Sequence, residues 1–266
     1  MAPRSIWKGT VGFGLVSVPC KLYAATEERS VHFNQIHRDC QGRIQMPKWC
    51  PACDRKVEAS ELVKGYEVAK DEYVLLDESD MAALPLKSLK SIEVLEFIEG
   101  SAIDPRQANK SYFIAPDEAG VKAFSLLLRA IEQVGLVGVV KLCMREREHL
   151  ASIRPYGSVL LLQTMFYSDE LRNRSEYEVA LPQVSERELE MAVTLVKTLA
   201  ESGDADLGKY QDEFRDALLQ VIQAKLNGET ISVAPTEAPA PVGDLVDTLM
   251  ASIEAAQKQK VEAGMN

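Results

Sequence analysis

Four residues in the first fifth of the chain have types and spacing that could bind a metal ion. His37 and Cys40 are separated by two residues, and after nine intervening residues Cys50 and Cys53 form a second pair with the same spacing. Structural zinc sites take four sulfur or nitrogen ligands, which closely spaced pairs of this kind supply. The pattern predicts a structural Zn²⁺ site in the loop 37–53, with no ligand position left open for catalysis.

The second cysteine pair is also open to a redox interpretation. The segment 49–53, Trp-Cys-Pro-Ala-Cys, is similar to the signature of thiol-disulfide oxidoreductases, which place a helix at the first cysteine inside a βαβ unit. Here Met46-Pro47 precedes the pair and a charged segment follows it. A redox role for Cys50 and Cys53 would also leave His37 and Cys40 unexplained, so zinc is the favoured interpretation.

The elements around this loop have mostly the pattern of β-strands. Segments rich in Val, Ile, Tyr and Phe are separated by short turns, which is typical of a barrel or a sandwich. Gly9, Gly12 and Gly14 in the first segment suggest bulges or close backbone approach. One predicted strand, 31–37, would deliver the first zinc ligand. The predicted strands cover residues 6–23, 31–37, 68–76, 91–98, 111–115, 136–144, 150–154 and 158–167.

One helix is predicted among the strands, and the last third of the chain is predicted to be helical. Asp117 can cap the first helix, and Gly135 can end it. Ser185 and Glu188 form a capping box at the start of the second. A third helix is predicted over residues 210–226. The second helix is expected to turn one apolar face inward, made of Leu189, Ala192, Val193, Val196, Leu199 and Ala200.

A Pro/Ala-rich linker, residues 234–241, separates a further amphipathic segment from these helices. Apolar residues there recur with helical spacing, and this face could fold back on the main domain or dock in the groove of a partner. Spacing alone leaves both interpretations open. The face consists of Val242, Leu245, Val246, Leu249, Met250 and Ile253.

The charge of the chain is segregated along its length. The net charge is −10, yet residues 1–56 carry +5 and residues 105–174 carry +3, while 57–104, 175–233 and 234–266 carry −8, −7 and −3. Two locally basic surfaces could bind phosphate while acidic faces stay solvated. Uneven surface charge without function is the alternative, and composition by itself favours it.

Motifs for catalysis and for membranes are absent from the sequence. It contains no Walker A loop, no G-x-G-x-x-G, no G-x-S-x-G and no H-E-x-x-H. His149 lies beside Glu146, Arg147 and Glu148, a combination more typical of a solvated salt-bridge cluster than of a catalytic site. Without a signal peptide or a long apolar run, a cytoplasmic protein that is not an enzyme and not a membrane protein is expected.

A series of motifs in order resembles prokaryotic Ku proteins over nearly the whole chain. The first is the opening strand pair, 5–23, with the sequence SIWKGTVGFGLVSVPCKLY. The paired His and Cys residues also occur where many prokaryotic Ku proteins carry them. The later motifs are KGYE at 64–67, YFIAP at 112–116, REHLA at 147–151 with RP at 154–155, and YSDELR at 167–172.

This resemblance implies a homodimeric ring that threads onto double-stranded DNA ends without sequence preference in non-homologous end joining. The implied fold is mixed, mainly β: a β-barrel core with a DNA-encircling arm and a zinc-anchored loop (1–184), then helices that pack on the core or dimer (185–233). After the linker, the C-terminal helix and tail (242–266) would recruit a multifunctional ATP-dependent ligase, DNA ligase D. The protein would be associated with the nucleoid.

The two basic blocks then supply the expected DNA contacts. Phosphate contacts give affinity that is independent of sequence and sensitive to salt. The resemblance does not extend to a lysine-rich tail, since Lys258 and Lys260 are the basic residues after Lys225 in this sequence. A zinc-anchored nucleic-acid module of another kind, a thiol oxidoreductase and a scaffold without DNA affinity remain the alternatives. The expected contacts are Lys8, Arg43, Lys48, Arg55, Lys56, Lys64, Arg129, Arg145, Arg147, Arg154, Arg172 and Arg174.

Overall fold

The computed structural model describes residues 3–84, 90–200, 206–229 and 245–262. The chain divides into two compact units, Met1–Arg174 and Ser175–Asn266. The first unit is mainly β and the second is helical, so the predicted mixed, mainly β fold class is confirmed.

Seven strands of the first unit form a closed barrel, in the order β1-β2-β8-β11-β10-β9-β7. Neighbouring strands are antiparallel except at the closure, where β1 runs parallel to β7 with Val11 opposite Ile92. Closure pairs every strand on both sides and removes exposed sheet edges. The strands are β1 Trp7–Phe13, β2 Val16–Ala24, β7 Ser91–Ile98, β8 Ala108–Pro116, β9 Val137–Met144, β10 Arg147–Tyr156 and β11 Val159–Met165.

Alternate residues of these strands fill the barrel. Val18, Cys20 and Leu22 of β2 are buried, whereas Pro19 and Lys21 between them point outward. Val11 of β1 and Ile92 of β7 are also fully buried. Helix α2, Val121–Val134, adds Phe124, Leu127 and Ile131 to the same core. It ends at Gly135, whose φ of 73° is left-handed, as predicted. Asp117 caps the short 3₁₀ turn that precedes α2 rather than α2 itself.

Between β2 and β7 the chain makes a long excursion, and its described residues 25–84 are called the arm segment below. It contains two small hairpins and a short helix, and none of its described side chains is buried. The predicted strand 31–37 is wrong: only Ile36 forms a bridge, to Arg43. The predicted strand 68–76 is instead a hairpin that turns at Asp71. The elements are β3 Trp49–Cys50, β4 Arg55–Lys56, β5 Lys64–Ala69, β6 Glu72–Leu76 and α1 Glu78–Ala82.

The described residues of the second unit form three α-helices, α3 Glu186–Leu199, α4 Glu213–Leu226 and α5 Leu245–Glu262. The predicted capping box at α3 is confirmed, since Ser185 accepts from the Glu188 N–H and the Glu188 side chain accepts from the Ser185 N–H. Helices α3 and α5 pack together.

The predicted inward face of α3 is only partly correct. The half-buried residues are Glu188, Met191, Ala192, Leu195 and Thr198. Most of the apolar residues expected to point inward are exposed instead: Leu189, Val193, Val196 and Leu199. The apolar surface of α3 is wider than the part that one neighbouring helix covers, so spacing alone does not show which part is covered.

The glycines of β1 have different roles. The β1–β2 register runs without a shift, so the predicted bulge is absent, but Gly9 is a site of close approach. A Cβ at Gly9 would overlap the carbonyl oxygen of Lys90 and the ring of Trp7. At Gly12 the nearest atom to such a Cβ is the Ile92 oxygen at 3.7 Å, an ordinary contact.

We therefore expect Gly9→Ala to destabilise the barrel by about 1–3 kcal/mol, the usual cost of overpacking. Gly12→Ala is the matched control in the same strand and should change the free energy of unfolding little. Urea unfolding of both variants provides the comparison. Equal stability of the two variants would contradict a close approach at Gly9.

Candidate metal centre and nucleic-acid interface

His37 and Cys40 meet at a tight turn in the arm segment. The bridge between Ile36 and Arg43 closes this turn, and the His37 N–H donates to the Gly42 oxygen at 2.9 Å. The turn places His37 Nδ1 at 3.1 Å from Cys40 Sγ. One nitrogen and one sulfur donor are thus held together without a long-range contact.

Cys50 and Cys53 form a second tight pair. Cys50 ends β3, Cys53 lies in the turn before β4, and Asp54 has a left-handed φ of 49°. Hydrogen bonds to Cys50 from the Cys53 and Ala52 N–H groups and from the Cys53 thiol lower the pKa of Cys50. The Cys53 pKa is raised, chiefly by its bond to Cys50. This arrangement favours a thiolate at Cys50, the form of cysteine that binds metals.

The donor chemistry of each pair fits zinc, but the two pairs remain separate. Within the described ranges, no three or more His, Cys, Asp or Glu side chains are grouped closely enough to hold a metal ion. One nitrogen and three sulfur donors match a structural zinc site, and each pair matches half of one. The two halves are called the His37–Cys40 half-site and the Cys50–Cys53 half-site.

The surroundings of Cys50 do not match those of a thiol oxidoreductase. Such enzymes begin a helix at the first cysteine, whereas Cys50 lies in a two-residue strand followed by a turn. A lowered pKa at Cys50 is common to redox and metal-binding thiols and does not distinguish them. The local fold therefore favours metal binding over disulfide exchange.

An ion pair ties the Cys50–Cys53 half-site to the following turn. Arg55 donates to both carboxylate oxygens of Glu61, at 2.6 and 3.1 Å. This contact lowers the pKa of Glu61 and raises that of Arg55. A two-point contact of this kind fixes orientation as well as charge.

Ion pairs with carboxylates hold at least four of the twelve basic residues predicted to contact DNA. A cation already neutralised by a neighbour gains less from an approaching phosphate, because the carboxylate must be displaced. Arg172 and Arg174 follow β11 in an irregular segment, where the Arg172 oxygen accepts a hydrogen bond from Arg106 at 3.2 Å. The four pairs are Arg55–Glu61, Lys56–Glu58, Lys64–Glu146 and Arg147–Glu170.

The other six predicted residues form no ion pair with any carboxylate in the described part of the chain. Arg154 differs from the rest in being half-buried. Its Nε is fully covered and has no hydrogen-bond partner among the described residues. These six side chains keep their charge available for a ligand. They are Lys8, Arg43, Lys48, Arg129, Arg145 and Arg154.

Three basic residues with relevant positions were missed at the sequence level. Lys21 is the cross-strand partner of Lys8, so both lysines share the outer face of the barrel. Arg38 lies exposed between His37 and Cys40. Arg106 binds the Arg172 oxygen and holds the pKa of Asp104 down at about 2. Strand alternation could have indicated Lys21, but the contact of Arg106 is non-local.

Lys21 also shows how charge is balanced on the outer face of the barrel. Its Nζ lies 2.7 Å from Asp117 Oδ1, which raises the pKa of Lys21 and lowers the pKa of Asp117. Lys8 adds to the positive potential at Asp117. The pair of lysines therefore carries about one uncompensated charge on this face.

His149 lies among charged neighbours on β10. Burial lowers the pKa of His149, so the ring is neutral at pH 7. Glu148 pairs with Lys141 at 2.9 Å, and the flanking Glu146 and Arg147 are in ion pairs of their own. The predicted salt-bridge cluster is confirmed for these carboxylates, while the ring itself is partly buried.

The apolar face of the C-terminal segment is divided by its packing on α3. Val246, Leu249 and Ile253 are half-buried, whereas Leu245 and Met250 are each 49% exposed. Val242 and the linker 234–241 lie outside the described residues. None of the described helices is both long and apolar enough to cross a bilayer.

Comparison with known proteins identifies related chains. The family model for the Ku70/Ku80 β-barrel domain matches residues 12–191, more than half of the chain. This range contains six of the seven barrel strands in full and the last two residues of the first, together with both half-sites.

Curated relatives align over almost the full length. A non-homologous end joining protein Ku from Desulfitobacterium hafniense is 41% identical, over 97% of this chain and 90% of the relative. The protein of that name from Archaeoglobus fulgidus is 39% identical, over 95% and 99%. The one from Bacillus subtilis is 35% identical, over 97% and 84%.

Proposed function

This chain belongs to the Ku family, and from that premise we propose that it binds double-stranded DNA ends, without sequence preference, as a homodimeric ring in double-strand break repair. Ku proteins of non-homologous end joining are DNA-end-binding structural proteins and not enzymes. The observation that carries the proposal is the closed barrel of this family, together with basic side chains that form no ion pair with a carboxylate of the described residues. A nucleoid-associated location follows from DNA binding.

The electrostatics of the first unit support binding to phosphate. Six of the predicted contacts form no ion pair with the described carboxylates, and five of them are exposed. Lysine and arginine side chains that contact phosphates displace counterions, which gives affinity without base readout. The net charge of −10 is no obstacle, because acidic groups more than about 10 Å away are screened at ordinary salt.

The arm segment supports the ring. Tyr66, Val68, Tyr73 and Leu75 of its β5–β6 hairpin are all exposed, and the described arm segment has no buried side chain. Tyr66 lies opposite Val74 on one face of the hairpin, while Tyr73 and Leu75 lie on the other face. Exposed apolar side chains grouped in this way often mark an interface. In the proposed dimer, the arm segments of two copies would cross the DNA and cover each other's apolar side chains.

Zinc is proposed to join the two half-sites of the arm segment. His37, Cys40, Cys50 and Cys53 would be its four ligands, and the metal would act as a structural cross-link with no catalytic role. Hydrogen bonds that favour a thiolate at Cys50 support this assignment. Joining the half-sites would hold Arg38, Arg43 and Lys48 in fixed positions relative to the duplex.

The C-terminal segment is proposed to recruit the end-joining ligase, DNA ligase D. Its apolar side would insert into a groove of the ligase, the mode in which amphipathic helices commonly bind. Val242, Leu245, Val246, Leu249, Met250 and Ile253 are the proposed contacts.

A competition assay tests the ring. Labelled linear duplex bound to the protein is challenged, at moderate salt, with equal base pairs of linear DNA or covalently closed circles. We expect linear DNA to compete well and closed circles poorly, because a ring can enter only at an end. Cutting the same circles once should restore competition, which controls for sequence and purity.

Equal competition by closed circles would overturn the ring. The protein would then bind duplex from the side, as a basic patch or a groove-binding module of another type does. A strong dependence on the sequence of the competitor would point to the same alternative.

Two arginines of the arm segment provide a matched test of the phosphate contacts. Arg43→Ala should reduce the slope of log K against log salt concentration by about 0.9 for each copy that contacts phosphate. Arg55→Ala should reduce it less, since Glu61 already neutralises Arg55. Fluorescence anisotropy between low and moderate salt measures both slopes. The same reduction in both variants would show that ion pairing with a carboxylate does not decide which basic residues contact phosphate.

The zinc proposal is tested by removing one half-site. The double variant Cys50→Ser, Cys53→Ser should lose zinc, measured by metal analysis, and should also have a lower Tm and weaker DNA binding, because the arm segment loses its cross-link. Cys20→Ala removes a buried thiol outside the zinc loop and should keep its zinc. Complete zinc loss with an unchanged Tm would contradict a structural role, as would a wild-type protein without zinc.

A further inference from the structure

The helix proposed to bind the ligase already has an apolar partner in its own chain. Helix α5 packs on α3, and both belong to the second compact unit. The apolar residues of α5 that are at least half-buried recur every three or four positions: Val246, Leu249, Ile253 and the buried Ala256. Three of these four are also among the residues proposed to bind the ligase.

The covering surface on α3 is a narrow stripe. Met191, Ala192, Leu195 and Thr198 are half-buried at positions i, i+1, i+4 and i+7 of one side of that helix. The stripe matches the spacing on α5, which is the condition for two helices to pack side by side. The opposite, wider part of the apolar surface of α3 stays exposed.

The contact between the two helices is incomplete. An open groove of about 280 Å³ remains between them, lined by Arg187, Met191 and Thr194 of α3 and by Met250, Ile253 and Glu254 of α5. Across the described part of the pair, Ala256 is the one buried residue. A loosely packed pair of this kind is held by few contacts and can separate at low cost.

From these observations we propose that α3 acts as an internal competitor, which closes the docking face of α5 in the free protein. The closed form is the one in this structure, and the open form exposes Val246, Leu249 and Ile253 for an apolar groove on another protein. The competitor role rests on the proposed docking function of α5, whereas the closed contact itself does not.

Covalent connection makes such a competitor effective even when the contact is weak. A tethered helix has an effective concentration on the order of millimolar at its internal site, so a contact with a millimolar dissociation constant is already half occupied. The apparent affinity of an outside partner falls in proportion to the open fraction. An open fraction of about one tenth would weaken docking about tenfold.

The closed contact is tested by hydrogen exchange in the full-length protein. Leu195→Asp places a charge on the covered stripe of α3, and Lys197→Asp places the same residue on its exposed side as a matched control. Released α5 has 18 residues and would be marginal as an isolated helix. We expect Leu195→Asp to accelerate exchange of the α5 amides at least tenfold and Lys197→Asp to leave them near wild type.

Protection of the barrel strands β9–β11 in the same experiment shows whether each variant is folded. If Leu195→Asp disturbs the barrel, the variant Ala192→Asp is used in its place, because it introduces the charge one turn earlier on the same stripe. Unchanged exchange of α5 in a folded stripe variant would overturn the closed contact.

Ligase binding then tests the competitor role separately. The stripe variant should bind purified DNA ligase D about tenfold more tightly than wild type, since α5 no longer has to leave α3. Faster exchange with unchanged or weaker ligase binding would overturn the competitor role. If the ligase binds neither protein while exchange accelerates, the docking proposal fails and the closed contact stands.

Discussion

The parallel pairing of β1 with β7 is the constraint on which the rest of the first unit depends. It closes the barrel and leaves no strand edge exposed. It also fixes where the arm segment begins and ends, because β2 and β7 flank β1 on opposite sides. The chain leaves on one side of β1 and returns on the other, so the intervening residues must project outward. The half-sites and their basic side chains depend on this projection for their exposure.

Within the projecting segment, local hydrogen bonds replace a core. Each half-site is closed by a turn of a few residues, and the Arg55–Glu61 pair secures the second. Such contacts set local geometry but cannot fix one turn relative to another, since neither buries much apolar surface. This explains why the two ligands of each half-site lie close together while the two half-sites stay apart. A metal ion or a second macromolecule would have to supply the missing long-range restraint.

The sequence predicted much of the barrel because its strands are rich in β-branched and aromatic residues and are separated by short turns. The predicted segments 91–98, 136–144 and 158–167 match β7, β9 and β11 closely. The prediction that α2 ends at Gly135 is also confirmed. Prediction failed where no core exists: apolar residues at 31–37 suggested a strand, but no neighbouring strand pairs with them. Some of the ion pairs that neutralise basic residues, such as Lys64–Glu146, join positions far apart in the chain. Composition shows that partners exist, but not which carboxylate meets which cation.

The length of the loop between β2 and β7 bears on how freely the arm segment can vary. The conformational entropy cost of closing a flexible loop grows only logarithmically, by about 0.6 kcal/mol for each doubling of its length. The barrel therefore tolerates insertions and deletions between these strands at little thermodynamic cost. The folding rate is more sensitive to the length of this loop, since β1 can pair with β7 only after the two ends of the arm segment have come together. During synthesis the first hairpin is thus an unfinished sheet with two open edges, one awaiting β7 and the other β8, until the whole arm segment has left the ribosome.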